Sequence, residues 1–197
     1  MARPDVWLCR HGETEWSSSG RHTSHTDLPL TPDGIAEARR LADALAGITF
    51  EIVLTSPLRR AAETAALVGF PDARRDPALA EWDYGEYEGM TTAEIREQAP
   101  GWAVWTHPAP GGETADHIAA RADRVIQRLI AEATDRALVF SHAHFLRVLA
   151  ARWIGQPSGF GRHLLLDTAT ISVLSWQRED RAIGRWNIGT SKPSQWG

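Results

Sequence analysis

The sequence predicts an α/β protein, a three-layer α/β/α architecture in which helices cover both faces of a mainly parallel central sheet. Short apolar runs typical of strands alternate along the chain with stretches of helical spacing. A length of 197 residues with 43% hydrophobic residues is enough for one domain, residues 1–197, with its own core. No repeat, low-complexity stretch or linker interrupts this pattern.

The elements follow from spacing and boundary residues. The first helix has Thr31 as its N-cap and Pro32 in its first position, and it stops at Gly47. A second helix opens at 55–57 and ends before Gly69. The remaining predictions are a long amphipathic helix over 115–133, a helix over 144–154, strands over 5–9, 51–54, 136–141, 170–176 and 182–188, and an irregular segment over 100–112.

Composition excludes several classes of partner and location. The net charge of −4 disfavours a broad surface for nucleic acid or an anionic membrane. Cys9 is the single cysteine, so no intrachain disulfide forms, and we interpret it as a small buried core residue. With no secretion signal and no long apolar run, a cytoplasmic location is predicted.

Polar residues follow three of the predicted strands. These groups are Arg10-His11, residues 56–60 and Ser141-His142. Ligands of parallel sheets bind at the carboxyl ends of the strands, where these groups meet. An arginine beside a histidine disfavours the histidine cation unless an anion lies between them, and Gly12 lets the backbone approach a ligand closely.

The second group offers an anion site at a helix N-terminus. Arg59 lies in the first turn, where the helix dipole disfavours a cation, so a bound anion explains it better than helix stability does. Arg60 and Arg74 are better explained as solvated surface arginines.

The third group allows a metal site, because His142 and His144 lie two residues apart. The carboxylates that would complete such a site are not clustered nearby, so no metal is predicted, and His144 is equally well explained as the start of a helix. Other hydrolase motifs are missing: Glu15 stands where a cysteine-nucleophile loop after Cys9 needs arginine, and neither a G-x-S-x-G elbow nor a Walker A loop occurs.

An acidic segment over 79–89 contains a candidate proton donor. Its four acids fit a solvated turn, but Glu81 lies between Ala80 and Trp82 and is expected to be partly desolvated. Desolvation raises the pKa of a carboxyl group toward the range useful for proton donation.

These motifs together resemble the histidine phosphatase superfamily, in its phosphoglycerate-mutase-like branch, over nearly the full chain. The resemblance rests on the run from Arg10 to Thr14, the stretch from Asp27 to Gly34, the run from Ser56 to Ala61 with Thr64, and Ser141-His142. The stretches over 16–23 and 79–91 are most similar to small bacterial acid phosphatases.

The resemblance implies a phosphatase that uses a phosphohistidine intermediate and needs neither metal nor cofactor. It makes His11 the nucleophile, Glu81 the proton donor, and Arg10, Arg59 and His142 the groups that hold the transferring oxygens. It further implies substrate contacts from Arg10, Ser17, Thr23, Arg59, His142 and Ala143. Ala143 stands where the family usually has glycine, and it would be strained if that position required a positive φ.

Alternatives remain open from the sequence. A cofactor-dependent phosphoglycerate mutase or a sugar bisphosphatase shares the same motifs, and a non-catalytic module that binds phosphorylated ligands is possible in principle. The compact chain lacks the longer insertions of mutases, which favours hydrolysis of a small phosphorylated metabolite. Substrate choice is expected to lie in 17–27 and 90–112, with Trp102 and Trp105 either capping the pocket or serving the fold. The late strand 170–176 is either a covered edge or the seam of a homodimer.

Overall fold

A computed structural model of the chain describes residues 3–189, so the two ends of the predicted domain, 1–2 and 190–197, lie outside the described residues. Six strands within this range form one sheet in the order β3-β2-β4-β1-β5-β6. They are β1 (Asp5–Arg10), β2 (Ile52–Thr55), β3 (Arg74–Arg75), β4 (Arg136–Ser141), β5 (Thr170–Gln177) and β6 (Asp180–Gly189). The first four pair in parallel, and β5 runs antiparallel to both β1 and β6. The predicted mainly parallel sheet is confirmed.

Helices cover both faces of the sheet. The α-helices of the described residues are α1 (Glu15–Ser18), α2 (Pro32–Leu45), α3 (Arg59–Val68), α4 (Thr92–Gln98), α5 (Ala115–Glu132) and α6 (Ala143–Trp153), of which α2, α3, α5 and α6 pack on the sheet. On one face, Leu41 of α2 and Ala65 of α3 are buried with Cys9, which is the core residue that the sequence predicts. On the other face, Ile126 of α5 and Leu149 of α6 belong to a larger core. Both cores bury aliphatic side chains on helical spacing, the pattern from which these helices were predicted.

Two helix starts show what the sequence pattern captures and what it misses. Thr31 caps α2 as predicted, because its Oγ1 accepts the N–H of Gly34 at 3.0 Å. Helix α3 begins at Arg59 and not at 55–57, since Leu58 is still extended. The cap of α3 comes from a distant loop, where Asp27 Oδ1 accepts the N–H of Arg59 at 2.7 Å.

The predicted role of strand 170–176 at an edge is wrong. Strand β5 lies inside the sheet between β1 and β6, and the edge on that side is β6. The sequence also gave no indication of the short strand β3 or of helix α4. Segment 100–112 is irregular as predicted, and no helix in the described part of the chain is long and apolar enough to cross a membrane.

The three predicted polar groups lie at one edge of the sheet. Strands β1 and β4 pair so that Arg10 is opposite Ser141, and β2 and β4 pair so that Thr55 is opposite Phe140. The residues that follow β1, β2 and β4 therefore converge at the carboxyl edge, as expected for parallel strands.

Candidate active site

His11 lies directly after β1 at this edge and is only 5% exposed. Its Nδ1 is 2.7 Å from the carbonyl oxygen of Gly12. A carbonyl oxygen only accepts hydrogen bonds, so Nδ1 carries the ring proton. The lone pair on Nε2 is therefore left free for attack on an electrophile.

Burial keeps His11 in this neutral form. Desolvation lowers the pKa of His11 well below its usual range, and the charges of Arg60 and Arg10 lower it further, against a smaller opposing effect of the hydrogen bond to Gly12. A neutral imidazole is the nucleophilic form, so the environment favours the reactive state of the ring.

Gly12 holds this loop against helix α2. A Cβ on Gly12 would lie 2.4 Å from the carbonyl oxygen of Gly34, and a Cβ on Gly34 would lie 2.2 Å from the carbonyl oxygen of Glu13. The close approach that glycine allows here is therefore to the first turn of α2, whereas the sequence suggested an approach to a ligand. The N–H of Gly12 donates to Thr64 Oγ1 at 3.0 Å, which ties the loop to α3 as well.

Arg10 places a cation with a spare donor beside His11. Its Nη1 donates to the carbonyl oxygen of Leu166 at 2.6 Å. Its Nε is buried and has no hydrogen-bond partner among the described residues. A buried guanidinium nitrogen without a partner is costly unless an acceptor binds there, and phosphate oxygens suit it well.

Arg60 and His142 form the opposite wall. The Nε of Arg60 donates to His142 Nδ1 at 3.1 Å, so the proton of His142 is on Nε2, which lies 2.8 Å from Ser56 Oγ. The rings of His142 and His11 have their centroids 5.2 Å apart. The expectation that Arg60 is a solvated surface residue is wrong, since Arg60 is 1% exposed.

Arg59 is not brought to this group. Its side chain is 56% exposed, and its Nε donates to Glu63 Oε1 at 2.6 Å in an i,i+4 ion pair. That pair explains a cation in the first turn of α3 without a bound anion. The sequence did contain an indication of which arginine is buried, because Arg60 and Thr64 share the buried stripe of α3 with Ala61.

Glu81 is buried beside the N-terminus of α6. Its carboxylate accepts backbone N–H groups from Trp82 at 2.8 Å, His144 at 3.0 Å and Phe145 at 2.8 Å. Burial raises the pKa of Glu81 above its usual value, and this effect outweighs the opposing hydrogen bonds. The predicted desolvation of this carboxyl group is confirmed.

A cavity of about 160 Å³ opens beside His11. Its lining comprises Arg10, His11, Thr14, Ser17, Gly20, Arg21, His22, Thr23, Tyr84, Ala143 and His144. Five of the predicted site residues therefore line it. Ser17 Oγ is already engaged in a capping box with Thr14, and Thr23 Oγ1 donates to the carbonyl oxygen of Arg21.

Ala143 takes the place of the family glycine without strain. It is the first residue of α6 and does not have a positive φ. Ala143 lines the cavity and lies within the helix, where any residue adopts the backbone angles.

Sequence reasoning missed the aromatic wall of the cavity. Tyr84 Oη lies 2.6 Å from His144 Nδ1, and the ring of Tyr84 is 4.7 Å from the ring of His22. The available indication was the aromatic residues that alternate with the carboxylates in the acidic segment 79–89. Within residues 3–189, no group of three or more His, Cys, Asp or Glu side chains is arranged to hold a metal ion.

Comparisons with known proteins agree with this geometry. Residues 6–189 match the family model of the histidine phosphatase superfamily (branch 1). The chain is 39% identical over 179 residues to an acid phosphatase of Mycobacterium tuberculosis, covering 89% of this chain and 88% of that protein. It is 37% identical over 187 residues to sedoheptulose 1,7-bisphosphatase of Saccharomyces cerevisiae, covering 77% and 68%. A solved structure of an open-reading-frame product from M. tuberculosis has a TM-score of 0.91 at 36% identity, covering 95% of this chain and 98% of that one.

The chain belongs to the histidine phosphatase superfamily. The prediction of a phosphatase with the α/β fold of this superfamily is confirmed.

Proposed function

We propose that this chain hydrolyses small phosphomonoesters in two steps, through a phosphohistidine on Nε2 of His11. The observation that carries the proposal is the hydrogen bond of His11 Nδ1 to the Gly12 carbonyl, which leaves Nε2 unprotonated. In the first step, the Nε2 lone pair forms a bond to phosphorus and the bond to the ester oxygen breaks. In the second step, water attacks phosphorus, the P–N bond breaks, and inorganic phosphate leaves.

Arg10, Arg60 and His142 would bind the transferring phosphoryl group. Two guanidinium groups balance the charge of a phosphate dianion, and donors arranged in advance stabilise the transition state more than the ground state. The Nε2 proton of His142, now shared with Ser56 Oγ, would turn to a phosphoryl oxygen. We assign to Arg60 the role that the family resemblance implies for Arg59, because of these two arginines it is Arg60 that contacts His142.

Glu81 would act as the proton donor and acceptor. In the first step its carboxyl proton goes to the leaving ester oxygen, and in the second step its carboxylate takes a proton from the attacking water. A raised pKa suits the first role, and proton transfer of this kind contributes about 10²–10⁴-fold.

Hydrolysis is favoured over mutase chemistry by the similarity to an acid phosphatase over 89% of the chain. Ser17, Thr23 and Ala143 are proposed substrate contacts because they line the cavity. A small phosphorylated metabolite as the substrate, no nucleic-acid partner, a homodimer and a cytoplasmic location stay predictions from the sequence.

The test is phosphate release in excess EDTA from an aryl phosphate, phosphoserine, 3-phosphoglycerate, and sugar mono- and bisphosphates. We expect release by the wild type and by His117→Ala, an exposed histidine on α5, and none by His11→Ala. Rapid quenching should trap an acid-labile phosphohistidine in the wild type and in His117→Ala but not in His11→Ala. Release that persists in His11→Ala would refute the nucleophile, and conversion of 3-phosphoglycerate with a bisphosphoglycerate primer but no release would establish a mutase.

A further inference from the structure

We propose that this site selects phosphomonoesters whose leaving group is a neutral, hydroxyl-bearing alcohol and discriminates against leaving groups that carry a carboxylate or a second phosphate. This inference rests on the proposed function and concerns the part of the cavity beyond the phosphoryl group. The selectivity follows from the charges in the walls of that cavity.

The cations next to His11 are already required by the phosphate. Arg10 lines the cavity, and Arg60 lies behind it in contact with His142. Their two positive charges balance the two negative charges of one phosphate monoester. A second anionic group on the substrate would need a further cation.

The remaining cation in the described lining, Arg21, is neutralised. Its Nη1 donates to Glu94 Oε2 at 2.9 Å and its Nη2 donates to Glu94 Oε1 at 3.2 Å, a bidentate ion pair. The same Nη1 also donates to the carbonyl oxygen of Gly89 at 2.6 Å. The fork of Arg21 is therefore directed at α4 and not at a ligand.

The other polar residues of the wall are uncharged. Tyr84 Oη and His144 Nδ1 share one hydrogen bond, and His22 Nε2 lies 3.2 Å from Thr92 Oγ1. Burial lowers the pKa of His22 to about 4 and the pKa of His144 well below its usual range, and it raises the pKa of Tyr84. None of the three offers a positive charge near neutral pH.

Arg147 does not supply the missing charge. Its guanidinium carbon lies 4.5 Å from the centroid of the Trp105 ring, and it donates to the carbonyl oxygens of Gly161 and Arg162. It is not part of the cavity lining. Trp105 in turn packs against His144 with centroids 5.0 Å apart, and the guanidinium of Arg147 is engaged with Trp105 and with backbone carbonyl oxygens.

The wall is suited to hydroxyl groups. Imidazole and phenol groups donate and accept hydrogen bonds, and the ring faces pack on aliphatic carbons. The volume of about 160 Å³ is small beside the roughly 300–1,000 Å³ of pockets for drug-sized ligands, which favours a short polyol or the end of a sugar. A carboxylate at this wall would lose water without gaining a cation.

The test uses two substrates that differ at one carbon. Glycerol 3-phosphate carries a hydroxymethyl group where 3-phosphoglycerate carries a carboxylate. We expect kcat/KM for glycerol 3-phosphate to exceed that for 3-phosphoglycerate by roughly 30-fold or more, the ratio that corresponds to one uncompensated charge. Phosphate release is measured for both at the same ionic strength, with His11→Ala as the blank.

Glu94→Gln tests the origin of the discrimination. Glutamine keeps the acceptor that caps α4 but leaves the charge of Arg21 uncompensated. We expect this variant to raise kcat/KM for 3-phosphoglycerate by about 5-fold or more while the value for glycerol 3-phosphate stays within a factor of two. Glu97→Gln, an exposed residue of the same helix, is the matched control and should change neither value.

Equal kcat/KM values for the two esters in the wild type would overturn the inference and leave the phosphatase proposal standing. An unchanged ratio in Glu94→Gln would overturn the assignment of the discrimination to a neutralised Arg21. Release from neither ester nor from any other phosphomonoester would refute the proposed function itself, and this inference with it.

Discussion

Arg60→Lys tests the contribution of the buried arginine at the start of α3 to stability and activity. Arg59→Lys, at the exposed neighbouring position, is the control. The buried guanidinium of Arg60 donates at 3.1–3.3 Å to His142 Nδ1 and to three backbone carbonyl oxygens, those of Thr23, Ser24 and Thr26. Lysine keeps the positive charge but replaces the planar fork by a single ammonium with a different reach.

The expected loss of stability follows from these contacts. A hydrogen bond that involves a charged group contributes about 1.5–3 kcal/mol, and lysine is expected to lose at least one or two of the four, so Arg60→Lys should lower the free energy of unfolding by about 2–5 kcal/mol. The exposed pair of Arg59 with Glu63 is worth about 0.3–0.5 kcal/mol, and lysine still forms it.

The expected loss of activity has a separate cause. If Arg60 holds both the phosphoryl group and His142, its replacement should lower kcat by about 10²–10³-fold, as for removal of one transition-state donor. Arg59→Lys should stay within a factor of two. Urea denaturation gives the stabilities, and phosphate release under native conditions gives the rates. Equal effects of the two substitutions, or a loss confined to Arg59→Lys, would refute the assignment.

Three further predictions concern pH and packing. Activity should persist as pH falls below 6.5, because His11 stays neutral, and decline as pH rises through the raised pKa of Glu81. Glu81→Gln should slow the hydrolysis of alkyl esters more than that of an aryl ester with a good leaving group. A pH profile of activity that is unchanged in Glu81→Gln contradicts the proton-donor role. Gly161→Ala should cost about 1–3 kcal/mol in urea denaturation, because its Cβ would lie 2.7 Å from the Trp105 ring, whereas Gly159→Ala, 3.6 Å from the nearest atom, should cost less than 1 kcal/mol. His22 resists protonation when folded, so its contribution to the free energy of unfolding should be largest above pH 6.5 and fall toward pH 4 by on the order of 2–3 kcal/mol. The buried His11 and His144 add to the total loss in acid, and His22→Asn should remove the share of His22 alone.

Local sequence patterns predicted the elements whose boundaries depend on local chemistry. Strand β4 has the predicted bounds 136–141, and the Thr31 cap of α2 is present, because strand burial and a side-chain cap act over a few residues. The start of α3 was misplaced since its cap is Asp27, which is 32 residues away along the chain. No local pattern contains that contact.

The residues of the candidate site likewise divide into those that local sequence predicts and those that depend on distant contacts. His11, His142 and Glu81 stand at strand ends or in a short segment, so their positions and the desolvation of Glu81 could be anticipated. Which of Arg59 and Arg60 is buried depends on which face of α3 each residue occupies. A predicted helix start that is wrong by a few residues does not give that face reliably. The pairing of Tyr84 with His144 joins residues 60 positions apart and can be found only in three dimensions.

The contact of Gly12 with Gly34 has a genetic consequence. Two main-chain segments of the protein are in contact there. Glycine is already the smallest residue, so neither position has a side chain that a second substitution could shorten. A search for second-site suppressors of Gly12→Ala should therefore return none at position 34. Any recovery would have to come from a displacement of the whole first turn of α2, which would also shift the loop that follows His11.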